Sequence, residues 1–181
     1  MPKASQNSDM ATRLERLEAY EQIRQLPHRY GLALDTRNID DLVALFVGDV
    51  QVGRDKRGRA ALRGWFVEAF SKFKSSIHFV GNHIIDFDDA DHAHGVVYCR
   101  DEIERPGEWM VGMIQYWDTY ERRDDSWYFL RRRLHRWYGV DALTRPASGQ
   151  GIARGSAPTG LLPDAWPSWQ TYWNEVAEMK G

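Results

Sequence analysis

The sequence predicts an α+β fold, a cone-shaped barrel in which a curved antiparallel sheet holds helices on its concave face. Two observations support this prediction. Up to about residue 73, apolar side chains recur at helical spacing. From residue 76 to residue 138, long segments rich in aromatic and β-branched residues alternate with short turn signals. Helices followed by hairpin-linked strands indicate that the helices pack on one face of a sheet.

The first helix is predicted from an apolar stripe at three-residue spacing, with charged residues between its members. Pro27 is expected to kink or interrupt this helix, which then continues to Asp35. Asn38 is a typical N-cap and predicts a second helix, whose buried side ends at Phe46. The stripe of the first helix consists of Leu14, Leu17, Tyr20, Ile23 and Leu26.

A third helix and a set of long strands follow. A short strand, Val50–Gly53, and a charged turn precede the helix, whose apolar residues lie between Leu62 and Phe73. Paired turn residues such as Asp88-Asp89 and Pro106-Gly107 separate the strands. The sequence therefore predicts strands at residues 76–87, 93–104, 108–122 and 127–138.

The chain divides into one folded domain and two flanking segments. Residues 1–9 are polar and predicted to be disordered, and residues 10–142 are predicted to form the domain. Residues 143–181 begin as a loop rich in Gly, Ser, Pro and Ala and end in a Trp-rich extension. The tryptophans of this extension are expected either to dock on the domain or to cap a pocket, in cis or in trans; they are Trp166, Trp169 and Trp173.

Composition restricts the function classes. With 181 residues, of which 43% are hydrophobic, the chain can bury one sizeable core. With a net charge of -2, the chain lacks the excess of basic residues that binding to nucleic acid or an anionic membrane requires. The single cysteine, Cys99, excludes an internal disulfide and a cysteine-based zinc cluster. No apolar run approaches the roughly 20 residues of a membrane helix, so we expect a cytoplasmic protein.

Alternation along the strands predicts which side chains share a face. If these faces line the concave side of the sheet, four titratable residues point into one cavity: His78, Asp101, Arg132 and Arg136. The predicted faces are His78, Val80, Asn82 and Ile84 on the first long strand, Cys99, Asp101 and Ile103 on the second, and Tyr128, Leu130, Arg132, Leu134, Arg136 and Tyr138 on the last.

Each candidate also has a purely structural explanation. Asp35 could be a turn residue between helices, and Tyr30 could be a core ring with a satisfied hydroxyl group. His78 could be a strand histidine with ordinary hydrogen-bond partners. The arginines at residues 131–133 could form a solvated ladder paired with Glu121, Asp124 or Asp125.

Missing motifs narrow the chemistry. The sequence has no GxGxxG, Walker, GxSxG or HExxH pattern, so phosphate cradling, hydride transfer and serine or zinc hydrolysis have no support. His92 and His94 have no carboxylate at metal-ligand spacing in a helix, and no metal site is predicted. Acid–base chemistry by His, Asp and Tyr side chains is what remains.

Four segments carry a resemblance to a known family. They are LxxxYGLALDTRNIDDLVALF, SSIHFVGN, YERRDDSWYF and the arginine-bearing strand that closes the domain. Over about residues 12–142, the chain resembles the nuclear transport factor 2-like superfamily, and within it the polyketide-cyclase (SnoaL)-like branch. Two enzymes of this branch share the pattern, bacterial bile acid 7α-dehydratase and hexachlorocyclohexane dehydrochlorinase.

The resemblance to the dehydratase implies a catalytic set that needs no metal and no organic cofactor. Asp35 would orient one ring nitrogen of His78, so that the other nitrogen removes a proton next to a carbonyl. Tyr30 would donate to the developing enolate oxygen. The complete implied set is Tyr30, Asp35, His78, Asp101 and Arg136.

The resemblance to the dehydrochlorinase keeps Asp35 and His78, and it places the arginine on Arg132. The two resemblances therefore disagree about which arginine faces the substrate. Asn82 matches the dehydrochlorinase pattern, and further aromatic residues are expected to line the pocket. The expected substrate-binding residues are Asn82, Arg132, Trp65, Tyr116 and Tyr138.

Together these expectations predict a cofactor-independent lyase, a dehydratase or related isomerase. Its predicted substrate is a bulky apolar hydroxy-carbonyl compound such as a steroid or polyketide. Cyclase chemistry stays open. The alternative is a non-catalytic module that binds a small ligand or bridges subunits, similar to the β subunit of ring-hydroxylating dioxygenases. The resemblance and the aromatic content of both sheet faces also imply a homodimer or homotrimer.

Overall fold

The computed structural model describes residues 3–142, together with Asn174 and Glu178, which are helical. Side chains are described from residue 9 onward. The predictions for the Trp-rich extension, including those for Trp166, Trp169 and Trp173, lie outside the described residues.

The described chain is an α+β domain, as predicted. Four long strands form an antiparallel sheet in the order β3-β4-β5-β6, and two short strands form a separate hairpin. The long strands match their predicted ranges to within a few residues. The elements are α1 Lys3–Asp35, α2 Ile39–Ala44, β1 Gln51–Val52, β2 Lys56–Arg57, α3 Arg59–Phe70, β3 Ser75–Phe87, β4 His92–Arg105, β5 Glu108–Arg123 and β6 Ser126–Asp141.

The sheet is open within the described range, because β3 and β6 are its two edges. The cone is therefore not a closed barrel. The segment after α2 covers part of the β6 edge, where the amide of Val47 donates to the carbonyl of Phe129 over 3.0 Å. The core fills the space between the helices and the concave face, and its fully buried residues include Ile23, Leu42, Val97, Ile114, Tyr120 and Phe129. None of the described helices is long and apolar enough to cross a membrane.

Helix α1 differs from its prediction in two ways. It runs without a break through Pro27, which is fully buried. Packing on the sheet therefore compensates for the backbone hydrogen bond that is lost because proline has no N–H group. It also begins at Lys3, within the segment that was expected to be disordered, because extending an existing helix costs far less than nucleating one. Only the second half of its apolar stripe is buried, since Leu14 and Leu17 are exposed.

The end of α1 is a Schellman motif. The amide of Asn38 donates to the carbonyl of Ala33 over 2.9 Å, and the amide of Arg37 donates to the carbonyl of Leu34 over 3.1 Å. Arg37 has a φ angle of 59°, at the position where glycine is the usual residue. Asn38 then caps α2 as predicted, because its side chain accepts from the amide of Asp41 over 3.2 Å.

Bulges in the sheet change the predicted faces. A bulge in β3 between Val80 and His83 places His83 in the concave row, whereas Asn82 and Ile84 are exposed. The prediction that Ile84 shares the concave face with His78 is therefore wrong, and Asn82 lies within the bulge without a cross-strand partner in the register.

Two further bulges lie between β5 and β6. They pair Phe129 with the concave residue Tyr120, so Tyr128 and Leu130 face the other way. They also pair Tyr138 with Met113 on the convex face, and the prediction that Tyr138 shares a face with Arg136 is wrong. Both errors have one cause, since a single extra residue inverts the alternation beyond it.

Two apolar surfaces of the described domain are exposed. On the convex side of the edge strand β3, the side chains of Ile77, Phe79 and Ile84 are 54%, 73% and 59% exposed. On the first half of α1, Met10, Leu14 and Leu17 are exposed at helical spacing. Contiguous apolar surface of this kind is typical of contacts between subunits.

We predict that the protein is a homodimer or homotrimer at micromolar concentration. Phe79→Asp should shift it toward smaller species, because a charge on β3 would be buried at the expected contact. Size-exclusion chromatography with light scattering measures this directly. Val67→Asp, at an exposed apolar residue of α3, is the matched control and should leave the mass unchanged. A monomeric wild-type protein would contradict the prediction.

Candidate active site

Asp35 and His78 form a hydrogen-bonded pair between α1 and β3. His78 Nδ1 lies 2.7 Å from Asp35 Oδ1, and the backbone N–H of His78 donates to Asp35 Oδ2 over 2.7 Å. Because β3 is an edge strand, alternate N–H groups point away from β4 and are free to bond a helix side chain. The predicted hydrogen bond between these two residues is confirmed.

Gly31 allows α1 to approach β3 closely enough for this pair to form. A β-carbon at Gly31 would stand 3.3 Å from Val80 Cγ2 and 3.4 Å from His78 Cβ. A side chain at this position would require its neighbours or the helix to shift by a few tenths of an ångström. Asp35 lies about one turn further along the same helix.

The charge on Asp35 fixes the tautomer of His78. Partial burial acts to raise the pKa of Asp35, but hydrogen bonds from His78 and from the Ser76 hydroxyl outweigh it and hold the pKa below its usual value. An ionised carboxylate only accepts hydrogen bonds, so Nδ1 of a neutral His78 carries the proton. The lone pair then belongs to Nε2, and no hydrogen bond between described residues engages that atom.

Asp101 and Arg136 lie on the same concave face of the sheet as His78. Asp101 is directly opposite His78 on β4, and the same row continues through Gly112 on β5 to Gly139 on β6. Asp101 Oδ1 occupies the place that a β-carbon on Gly112 would take, and Arg136 Nη1 lies 3.3 Å from that place. Asp101 Oδ1 and Arg136 Nε are buried without a partner among the described residues. The side chains of Asp101 and Arg136 thus occupy the space above the facing glycines, and each keeps one unsatisfied polar atom there.

A second cluster surrounds Arg132, further along the concave face. Arg132 makes a two-pronged ion pair with Asp118, with Nε–Oδ1 and Nη2–Oδ2 distances of 2.8 and 2.6 Å. Both side chains are almost completely buried. The guanidinium carbon lies 4.3, 4.1 and 4.2 Å from the ring centres of Tyr30, Tyr116 and Phe129, which is cation–π geometry.

Hydrogen bonds extend this cluster across the sheet. The Tyr120 hydroxyl donates to Asp118 Oδ2 over 3.0 Å and lies 2.9 Å from His83 Nε2. Burial and the nearby Arg132 lower the pKa of His83 to about 4, so His83 is neutral. Burial raises the pKa of Tyr30 to about 12, and its phenol stays protonated as a hydrogen-bond donor at neutral pH.

Of the three arginines at residues 131–133, only Arg131 and Arg133 are exposed, as the prediction of a solvated ladder requires. Arg132 is buried, and its partner Asp118 was not among the expected ones. Alternation along β5 could have identified Asp118, because Ile114, Tyr116, Asp118 and Tyr120 share the concave face. Sequence reasoning also missed the partner of Asp35, Ser76, which lies on the same face as His78.

The structure brings the predicted site residues together in two groups. Asp35, His78, Asp101 and Arg136 form one group, and Tyr30, Tyr116 and Arg132 form the other. The three remaining residues lie elsewhere. Trp65 is 55% exposed on α3, Asn82 is exposed at the β3 bulge, and Tyr138 is on the convex face, so their role in substrate binding stays a prediction.

Other reactive groups of the described domain have ordinary surroundings. Burial raises the pKa of Cys99 to about 12, which keeps it a thiol. His92 and His94 pair with Asp89 and Asp88 at the surface, at 3.0 and 2.9 Å. Within the described residues, no group of three or more His, Cys, Asp or Glu side chains could hold a metal ion.

Comparison with known proteins decides the family. A family model for the SnoaL-like domain matches residues 15–133, well over half of the chain. The chain belongs to the SnoaL-like domain family. This confirms the resemblance to the nuclear transport factor 2-like superfamily that the sequence motifs indicated. No curated protein sequence gives a significant match to this SnoaL-like protein.

Solved structures share the fold of this SnoaL-like protein. A scytalone dehydratase-like protein from Novosphingobium aromaticivorans has 26% identity and a TM-score of 0.63, over 78% of this chain and 98% of its own. A LinA-type3 hexachlorocyclohexane dehydrochlorinase from Novosphingobium barchaimii has 19% identity and a TM-score of 0.65, over 78% and 99%. An aromatic ring hydroxylase-like protein from Novosphingobium aromaticivorans has 20% identity and a TM-score of 0.61, over 70% and 95%. At 19% and 20% identity, the last two similarities show the fold alone.

The buried ion pair predicts a large stability effect. Asp118→Asn should lower the free energy of unfolding by about 3–5 kcal/mol, because it leaves the charge of Arg132 buried without a counter-ion. Urea unfolding followed by circular dichroism measures the loss. Asp91→Asn removes the same charge from the exposed Arg122–Asp91 pair and should cost about 1 kcal/mol or less. Equal losses in the two variants would mean that burial adds nothing to the cost of breaking the Arg132–Asp118 pair.

Proposed function

We propose that this SnoaL-like protein is a cofactor-independent lyase, a dehydratase or related isomerase, that acts on a bulky apolar hydroxy-carbonyl compound such as a steroid or polyketide. The observation that carries the proposal is the Asp35–His78 pair. An ionised carboxylate holds Nδ1 of the imidazole as a donor and leaves Nε2 as a base. A core histidine without a chemical role does not need this arrangement.

The proposed reaction is a β-elimination. His78 Nε2 takes the proton from the carbon next to the carbonyl, and the electrons of that C–H bond move toward the carbonyl as an enolate. The enolate then forms the carbon–carbon double bond, and the hydroxyl group on the neighbouring carbon leaves. The proton held by His78 returns to this hydroxyl, so the products are an unsaturated carbonyl compound and water.

Asp101 and Arg136 are proposed to bind the polar part of the substrate. Their unpartnered atoms offer one acceptor and one donor beside His78, which suits a hydroxyl group that donates to Asp101 and accepts from Arg136. Tyr30 is proposed to donate to the enolate oxygen, and its raised pKa keeps the phenol proton available. Arg132 is proposed to hold Tyr30 and Tyr116 in place through its contact with both rings.

The comparisons support an elimination of water in general terms. The solved relative at 26% identity bears the name of a dehydratase, and the fold is the same. A non-catalytic module that binds a small ligand or bridges subunits is the alternative, because an aromatic ring hydroxylase-like protein also has this fold. A module of that kind needs no oriented base, and the Asp35–His78 pair therefore favours the lyase. Co-purification with a larger iron–sulfur subunit would favour the alternative.

His78→Ala should lower turnover by about 10²–10⁴-fold, the range for loss of a positioned acid–base group. The assay is a panel of steroid and polyketide hydroxy-ketones, followed by mass spectrometry for the loss of water. His94→Ala is the matched control, because His94 pairs with Asp88 on the surface and should keep full activity. A folded His78→Ala protein that retains wild-type turnover would rule out the mechanism.

The two arginines should respond differently to mutation. Arg136→Ala should lower turnover strongly and leave the unfolding transition nearly unchanged, because Arg136 Nε is buried without a hydrogen-bond partner among the described residues. Arg132→Ala should mainly lower stability, because it leaves Asp118 buried and unpaired. Turnover and urea unfolding are measured on both variants. The opposite result would favour the dehydrochlorinase-like assignment of the substrate arginine.

A further inference from the structure

Arg37 combines an unfavourable backbone with a well-bonded side chain. It occupies the left-handed position of the Schellman motif, where a side chain is disfavoured and glycine is the common solution. Such a conformation persists only where the surrounding contacts outweigh its cost. The contacts of Arg37 therefore indicate its role.

The guanidinium of Arg37 joins three elements beside the Asp35–His78 pair. Its Nη1 donates to the carbonyl of Leu34 over 2.6 Å and to Ser76 Oγ over 3.0 Å. The guanidinium carbon also lies 4.9 and 4.8 Å from the ring centres of Phe70 and Phe73. The side chain of Arg37 thus connects the end of α1, the start of β3 and the end of α3.

The direction of the hydrogen bonds from Arg37 to the base is fully determined. Arg37 can only donate, so the oxygen of Ser76 accepts from it. Asp35 is ionised and can only accept, so the proton of the Ser76 hydroxyl points at Asp35 Oδ1, 3.0 Å away. The same carboxylate oxygen accepts from His78 Nδ1. Arg37, Ser76, Asp35 and His78 therefore form one chain of donors and acceptors with a single orientation.

We propose that Arg37 and Ser76 are positioning residues that act through Asp35 to hold His78 in the Nδ1–H tautomer. This inference rests on the proposed function, in which Nε2 is the base. Ser76 is 5% exposed, so no water competes easily for its hydroxyl group. Without the Ser76 donor, His78 alone holds the carboxylate, so Oδ1 can turn away from Nδ1 more often and the imidazole can then exchange its proton between the two nitrogens.

Other charged groups of the sheet do not supply this constraint. Asp101 faces His78 from β4, and the Arg136 side chain reaches from β6 over Gly112, but neither bonds to Asp35. The only hydrogen bonds that Asp35 accepts from described residues come from Ser76 and His78. A purely structural role for Arg37, the capping of α1, would be met equally well by glycine.

The experiment is NMR of the full chain labelled with ¹⁵N-histidine, and it needs no substrate. Long-range ¹H–¹⁵N spectra report which ring nitrogen carries the proton, and the His78 signal is assigned by its absence in His78→Gln. Hydrogen exchange of the His78 amide reports its bond to Asp35. We expect the wild-type protein to show the Nδ1–H tautomer and a protected amide.

Two variants of Ser76 have the same shape and differ in one hydroxyl group. Ser76→Thr keeps the donor and should retain the wild-type tautomer and amide protection. Ser76→Val lacks the donor, so the second tautomer should appear and amide exchange should accelerate about 10-fold, as for the loss of one hydrogen bond. Ser75→Ala is the control, because its hydroxyl bonds Glu104 and not Asp35.

Arg37→Gly is the second test, because glycine suits the backbone at this position and the variant should fold. It should show the same spectral change as Ser76→Val. A folded Ser76→Val or Arg37→Gly protein with the wild-type tautomer and exchange rate would overturn the proposal, as would equal effects of Ser76→Thr and Ser76→Val. Full turnover in His78→Ala would instead refute the proposed function, and the two failures are therefore distinguishable.

Discussion

The contact between the last turns of α1 and the edge strand β3 is the interaction on which the site depends. Asp35 satisfies an outward-facing backbone N–H of β3 and at the same time orients the ring of His78. One carboxylate thereby fixes the position of the helix on the sheet and the state of the proposed base. Gly31 makes the approach possible, and Arg37 secures the end of the helix from the other side. The same few atoms therefore position the helix on the sheet and orient the proposed base.

The concave face has a polar end and an aromatic end, and different forces organise them. At the polar end, hydrogen bonds to Asp35 order His78, while Asp101 and Arg136 keep unsatisfied atoms. At the aromatic end, Arg132 is enclosed by rings and neutralised by Asp118. A buried ion pair adds little net stability compared with apolar packing, but the loss of one partner is strongly destabilising. The packing of the aromatic end therefore depends on the Arg132–Asp118 pair.

The sequence predicted the strands, their antiparallel pairing and the α+β class, because alternation and turn signals are local properties. It also predicted the Asp35–His78 pair through the family motifs. The failures have a different origin. Bulges at Asn82, Leu130 and Trp137 add single residues to strands without a distinctive sequence signal, and every face assignment beyond them inverts. The role of Arg37 was hidden for a similar reason, since a positive φ at an arginine follows from tertiary contacts and not from propensity.

The glycine row across the sheet has a consequence for how this protein would respond to scanning mutagenesis. Alanine is normally a replacement that removes a side chain without adding a clash, yet at Gly112 its methyl group would overlap with a carboxylate oxygen of Asp101. The carboxyl group would have to rotate away from its place beside Arg136, while the sheet itself could stay intact. A scan would then score Gly112 as essential for activity, although glycine has no side chain with which to act. Its contribution is the space that the Asp101 carboxylate takes up, and only a substitution that competes for that space can reveal it.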